Sequence, residues 1–369
     1  MIIEIRGVNF LNRGAELMLV AILENYKYKN IKFCIEPSSH SPFIKRTKLG
    51  LYQKIGYGKY TYILNFFGNF IPKKLRKNFG LILEKEVDII LDASGFAYTD
   101  QWGTKILKLM SKDVLKWKKQ GKKIIFLPQA FGPFENEKNK RNMSIILDNI
   151  DFIFPRDKIS YEYLNSIKNN KKIIQYPDFT NLISLKKEKK DIDKICIIPN
   201  VRMLDKTDYD YYKFLLDTII YLLEKKKNIF FLIHEGKEDF DIAKKLVNEL
   251  DLKIDIIWPN DALLVKKEII NSSMVISSRF HGVVSALSSG IPTLSTGWSH
   301  KYRELFNDYN VSECFIDLND NDNILNKLEW FINDKEQIKI REKLEKYQKI
   351  EKEKTKDMWK NLDKFIEIK

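Results

Sequence analysis

The sequence predicts an α/β fold of two domains that face each other across a cleft. Three observations carry this. Short β-rich runs alternate with amphipathic helical runs along nearly the whole chain, and such alternation implies parallel sheets with helices on both faces. Twelve strand runs can be read, too many for one comfortable sheet. A polar, lysine-rich stretch, SLKKEKKDIDK at 184–194, falls between the sixth and seventh. The chain of 369 residues is also about two domains long. The expected organisation is a Rossmann-like domain over 1–183, a linker over 184–194, a second Rossmann-like domain over 195–335 and a charged helix over 336–369. That last helix is either solvated or packed back across the domains.

In such folds ligands sit beyond the carboxyl ends of the strands, so the residues after each strand are where chemistry is expected. In the first half the strands are IIEIRGV, IKFCIE, VDIILDA, KKIIFLPQ, DFIFPRD and KKIIQYP. After the first, GVNFLNRGAELML puts Asn12 and Gly14 in a loop and Glu16 just inside a helix. After the third, LDASGFAYTDQWG supplies Ser94, Gly95 and Asp100; after the fourth, LPQAFGPF supplies Gln129 and Gly132; the fifth ends in Arg156 and Asp157. Each alone is a weak signal that a cap or a surface charge would also explain, and for Asn12 and Ser94 the two readings are even. Residues 43–80, between the second and third strands, break the rhythm by interleaving aromatic and basic residues. Two readings are open for them: a patch that meets an anionic membrane or a lipid-linked acceptor, or an ordinary helical insertion with its lysines in water.

In the second half the strands are KICIIPN, NIFFLIHE, IDIIWP, MVISS, IPTLST and ECFID. Asn200 and Arg202 follow the first of these, His234 and Glu235 the second, and His300 and Lys301 follow IPTLST. The most informative stretch is SSRFHGVVSALSSGIPTLST, 277–296. Val283, Val284 and Leu287 mark one helix face, Gly290 suits its C-terminus and Pro292 follows, so this is strand, loop, helix, strand. Arg279 and His281 then stand at the helix N-terminus. That end offers unpaired N–H groups and partial positive charge, which favour an anion. Arginine adds a two-pronged clamp for phosphate or carboxylate, and histidine a group that exchanges a proton near neutral pH. Two cations there disfavour the helix itself, so an anionic ligand is expected to offset them.

The bulk composition bounds the alternatives. The net charge is +14, but 54 of the 64 basic residues are lysines spread along helices. With only ten arginines in the chain, an arginine after a strand stands out. No nucleic-acid fold signature accompanies the charge, so a basic protein binding nucleic acid or membrane ranks last. No apolar run is long enough for a transmembrane helix, MIIEIRGVNF does not read as a secretion signal, and Cys34, Cys196 and Cys314 lie far apart in apolar stretches. The expectation is a cytoplasmic protein with reduced core thiols, in possible peripheral contact with the inner membrane surface. There is no P-loop and no dinucleotide fingerprint; the four histidines lack zinc spacing and no DxD is present, so neither a metal nor a cofactor is expected.

NRGAELML, DASGFAYTDQWG, LPQAFGPF, FPRDKIS, YPDFT and, above all, SSRFHGVVSALSSGIPTLS followed by Lys301 resemble the polysaccharide pyruvyl transferase family over roughly residues 6–310. DASGF carries one glycine where many members have a run. The resemblance implies a fold like that of GT-B glycosyltransferases, phosphoenolpyruvate as donor, a sugar hydroxyl pair on a glycan or lipid-linked precursor as acceptor, and a pyruvate ketal as product. Phosphoenolpyruvate needs two anion clamps close together. Arg279 with the helix N-terminus is one and Arg202 or Arg156 the other, with Gly282 and Lys301 beside the donor and His281 the candidate acid. Asn12, Gly14, Glu16, Ser94, Gly95, Asp100, Gln129 and His234 are expected toward the acceptor, His234 as an acceptor contact, a second base or a satisfied strand-end histidine. The rival is a nucleotide-sugar-dependent GT-B glycosyltransferase, with Arg279 and Lys301 on a diphosphate.

Overall fold

A computed structural model describes residues 1–56, 60–188, 193–207, 209–318 and 324–367, apart from the side chain of Tyr62. Residues 57–59 of the 43–80 insertion and 189–192 of the expected linker lie outside the described residues. The chain forms two compact units. One comprises Met1–Leu11, Met18–Asp178 and Met358–Lys369, the other Asn12–Leu17 and Phe179–Asp357.

The first unit carries a seven-stranded parallel sheet of β1 (Ile2–Arg6), β2 (Lys32–Ile35), β3 (Tyr52–Lys54), β4 (Leu81–Ile82), β5 (Ile89–Asp92), β6 (Lys123–Gln129) and β7 (Phe152–Pro155). Its spatial order is β4-β3-β2-β1-β5-β6-β7. The central strands read as unbroken apolar runs because helices cover both faces; all four residues of β5 are buried. Ile90, Phe126, Trp117 and Leu147 lie in the core beneath. Glu4 of β1 is also fully buried, and Lys54 of β3 reaches it at 2.7 Å, an ion pair that spans the intervening strand.

The second unit carries a six-stranded parallel sheet of β8 (Lys194–Ile198), β9 (Asn228–Leu232), β10 (Ile256–Ile257), β11 (Met274–Ser277), β12 (Thr293–Thr296) and β13 (Phe315–Ile316), in the order β10-β9-β8-β11-β12-β13. Both orders reverse direction beside a central strand, and that switch point is where an open α/β sheet binds its ligand. In the second unit it lies between β8 and β11.

One expected strand is absent and two unexpected ones are present. Residues 171–177 form no regular strand. They run beside β7 through Ile153 N–H to Lys172 O, Ile174 N–H to Ile153 O and Tyr176 N–H to Pro155 O, and Pro177, which has no N–H, ends the pairing. The new strands β3 and β4 come from the 43–80 segment and just after it. The long helix Asp334–Ile366 is not a free solvated arm. In the second unit it buries Ile340 and Leu344; in the first it buries Met358, Trp359, Leu362 and Ile366. Trp359 meets Tyr26 edge-on at 5.5 Å, and Phe365 meets Phe152 at 4.8 Å.

Candidate active site

The second unit gathers the richest set of polar groups at the carboxyl ends of its strands. β11 ends at Ser277, whose Oγ accepts the Arg279 N–H at 3.1 Å and donates to the Arg279 carbonyl at 3.2 Å. This tight serine turn sets Arg279 as the extended N-cap of the helix Phe280–Leu287. Ser278 is fixed from three sides. Asn200 Nδ2 and the Tyr302 hydroxyl donate to its carbonyl at 2.6 and 2.9 Å, and the Tyr211 hydroxyl donates to its Oγ at 3.0 Å. These bonds fix the position of the loop that presents Arg279 and His281. Gly282 lets the helix start close to the strand, since a Cβ there would lie 2.9 Å from Ser277 Oγ and 3.1 Å from Ile198 Cδ1.

Arg279 is buried and held by carboxylates. Its Nε donates to Asp239 Oδ2 at 2.8 Å, its Nη2 to Asp239 Oδ1 and its Nη1 to Glu235. Asp239 is fully buried and also accepts the Val201 N–H at 3.0 Å. Burial pushes the Asp239 carboxyl above its ordinary range, against the pull of Arg279. The two carboxylates raise the Arg279 guanidinium despite its burial, so it stays charged.

Asn12 and its neighbours complete this arrangement from within the same unit. Asn12 forms an antiparallel bridge with Glu235, and its Oδ1 accepts the N–H groups of Gly14 and Ala15 at 2.8 and 3.2 Å. It thereby caps the helix Arg13–Asn25. A Cβ on Gly14 would stand 2.2 Å from His281 Nδ1, so the imidazole lies directly on the Gly14 backbone. Arg13 pairs with Glu16 at 2.7 Å, both buried. His234 is 5% exposed, and its Nδ1 has no hydrogen-bond partner among the described residues. Burial first, then the positive charges of Arg279, His281 and Arg13, hold its imidazole well below its ordinary pKa, hence neutral. Lys301 is buried, its ammonium 4.3 Å from the centre of the Trp298 ring and within 6 Å of Tyr302 and Phe280. Arg202 is exposed, 3.8 Å from Asp205.

The structure therefore brings Asn12, Gly14, Glu16, His234, Arg279, His281 and Gly282 into one connected set, with Lys301 packed against Phe280 beside His281. Arg202, in the second unit, stands outside this set, and the other expected residues, Ser94, Gly95, Asp100, Gln129 and Arg156, lie in the first unit and have structural partners there. Gln129 is fully buried and donates to Asp92 Oδ1 at 3.0 Å, while Ser94 Oγ donates to Asp92 Oδ2 at 3.0 Å. Asp92 also takes the Tyr98 hydroxyl at 3.0 Å. Gly95 turns with a positive φ of 71°, which its lack of a Cβ permits. Asp100 accepts the Asn136 N–H at 2.9 Å and Asn139 Nδ2 at 2.6 Å. Arg156 pairs with Asp178 at 3.1 Å, both side chains buried.

Sequence reasoning missed Asp239, Asp92 and the Arg13–Glu16 pair. Asp239 had a signal: it shares a helix face with Ile242, Ala243 and Leu246, all buried, so an acid stood at an apolar register. Among the described residues no group of three or more His, Cys, Asp or Glu is placed to hold a metal ion.

Comparison with known proteins shows the family and the fold of the chain. The family model described as polysaccharide pyruvyl transferase matches residues 12–300. No curated protein matches the sequence. Solved structures share the fold over nearly the whole chain. HepE of Anabaena in complex with UDP-glucose is 11% identical, with a TM-score of 0.60 over 98% of this chain and 99% of that one. UDP-GlcNAc 2-epimerase of Neisseria meningitidis bound to UDP-GlcNAc is 15% identical, with a TM-score of 0.57 over 98% and 99%. A glycosyltransferase of Rickettsia africae is 14% identical, with a TM-score of 0.57 over 98% and 97%. The fold is that of the GT-B glycosyltransferases and epimerases.

Proposed function

Since the chain belongs to the polysaccharide pyruvyl transferase family, we propose that it moves the pyruvyl group of phosphoenolpyruvate onto two hydroxyls of one sugar in a cell-surface polysaccharide or its precursor. The observation that supports this most is the meeting of His281, His234, Arg279 and Arg13 at the strand ends of one unit. Ketal formation needs a proton delivered to carbon, a proton removed from oxygen and an anion held between them.

The first sugar hydroxyl adds to C2 of the donor while C3 takes a proton and becomes a methyl group. The second hydroxyl then attacks C2 as the C2–O bond to phosphate breaks. One hydroxyl proton ends on C3 and the other leaves with inorganic phosphate. His281 is assigned as the acid toward C3. His234, held neutral, suits acceptance of a proton or a hydrogen bond from the acceptor rather than donation. Arg279 is assigned to the donor in a specific way. Three of its N–H groups face carboxylates, and guanidinium has five. Glu235 is 28% exposed and Asp239 fully buried, so a donor anion displaces Glu235 and leaves the Asp239 fork intact. The positive end of the helix Phe280–Leu287 and Lys301 supply the remaining attraction.

The test separates chemistry from binding. His281→Ala is expected to lose ~10²–10⁴-fold in turnover while keeping donor affinity. Arg279→Lys is expected to weaken donor binding, because an ammonium lacks the planar fork that can stay on Asp239 while also holding an anion. A His281→Ala protein that loses binding as much as turnover contradicts the acid assignment. The rival reading, nucleotide-sugar-dependent transfer, rests on the fold alone.

A further inference from the structure

The 43–80 segment contains nine Lys or Arg and no Asp or Glu, although the chain holds 50 acidic residues; it accounts for +9 of the net +14. It is also where the protein shows its apolar surface. Of the 25 large hydrophobic side chains exposed among the described residues, 11 fall within it. Phe66, Phe67 and Phe70 are 57%, 63% and 73% exposed and pack on one another, with ring centres 5.5 Å apart, rather than on the core. Phe43 and Phe79 are exposed as well.

The polar contacts of the segment point inward. Asn65, on the helix Thr61–Gly68, donates to Ile55 O and accepts the Glu84 N–H at 3.0 Å. Arg46 and Arg76 are buried, and they donate to Gln53 and Glu86. A water-facing helix has the opposite polarity, apolar side in and charge out. Exposed phenylalanines in one segment with Lys48, Lys73, Lys74 and Lys77, all exposed, match the requirements of a headgroup interface: rings into the acyl boundary and ammonium groups to lipid phosphates. A second copy of the chain would set this positive face against itself. Among the described residues no helix is long and apolar enough to cross a membrane, so the contact is interfacial.

We propose that the exposed apolar and basic side chains of residues 43–56 and 60–80 dock on the surface of an anionic phospholipid bilayer. The inference stands on its own and does not need the pyruvyl transfer reading. The experiment is flotation of the full chain with phosphatidylcholine vesicles, with and without phosphatidylglycerol, over a salt series. The protein is expected to float with the anionic vesicles only, and less as salt rises. Each cation near the leaflet is worth about fivefold in partitioning, so replacing Lys48, Lys73, Lys74 and Lys77 by Ala is expected to lower it more than about a hundredfold. A Phe66→Trp variant, which keeps the face apolar, is expected to shift its emission to the blue on adding anionic vesicles. Failure of the wild-type chain to float, unchanged emission, or a quadruple variant that floats as well as wild type overturns the proposal. So does a dimer in solution that Phe66→Ser/Phe67→Ser/Phe70→Ser abolishes, since the face would then belong to a second copy.

Discussion

Arg279 meets two carboxylates of different kinds, and each predicts its own mutational outcome. Glu235 is partly exposed, and on the proposed reading the donor displaces it from Arg279. Glu235→Gln is therefore expected to tighten phosphoenolpyruvate binding by about two- to fivefold, the upper range of a partly exposed ion pair, and calorimetric titration reads it directly. Weaker binding in that variant would contradict displacement of Glu235. Asp239 is buried, and removing one side of a buried pair costs about 3–5 kcal/mol, so Asp239→Ala is expected to lower urea stability by that order. His234 gives a pH signature. Its folded pKa lies below the ordinary 6.5, so the unfolded state binds the proton first. Stability is retained above pH 6.5 and lost as pH falls below it, with a slope of up to about 1.4 kcal/mol per pH unit. His234→Asn is expected to flatten that fall between pH 6.5 and 5; parallel curves would contradict burial of a neutral imidazole. At this scale the sequence placed Arg279 and His281 at a helix start, where the structure has them. It could not show which strand-end residues meet a buried acid, as Gln129 does with Asp92, Arg156 with Asp178 and Arg279 with Asp239. Partners distant in sequence leave no local trace.

The elements were legible where burial on both faces left long apolar runs, as in β5, β6, β8 and β11. They were not legible where pairing was short. β3 and β4 have three and two residues, too few for a pattern, and they lie in or beside a segment whose aromatic and basic residues mask any alternation. Residues 171–177 looked like a strand because they run along β7 with partial pairing. The helix Asp334–Ile366 is charged along much of its length, yet in the first unit it buries Met358, Trp359, Leu362 and Ile366. Trp359→Ala is expected to cost about 3–5 kcal/mol in denaturant unfolding, because the ring fills a site against Tyr26. A cost under about 1 kcal/mol would mean the helix end is merely laid on the surface.

For the whole molecule, alternation of strand and helix was enough to fix the fold class, two parallel sheets covered by helices. Membership of the two units was harder to read. A sequence is parsed as contiguous runs, whereas Asn12–Leu17 groups with the second unit and Met358–Lys369 with the first. The former sets Gly14 against His281. Charge is also uneven at this scale, with +9 of the +14 in one segment and the site arginines matched by acids. The central claim is that this site takes phosphoenolpyruvate. The most direct measurement is thermal unfolding of the purified chain with phosphoenolpyruvate, inorganic phosphate, pyruvate, UDP-glucose or UDP-GlcNAc. A ligand at about 100 times its Kd adds about 2.7 kcal/mol. Stabilisation by phosphoenolpyruvate and not by the sugar nucleotides, lost in Arg279→Ala, is the predicted result; stabilisation by a sugar nucleotide with none from phosphoenolpyruvate would contradict the account.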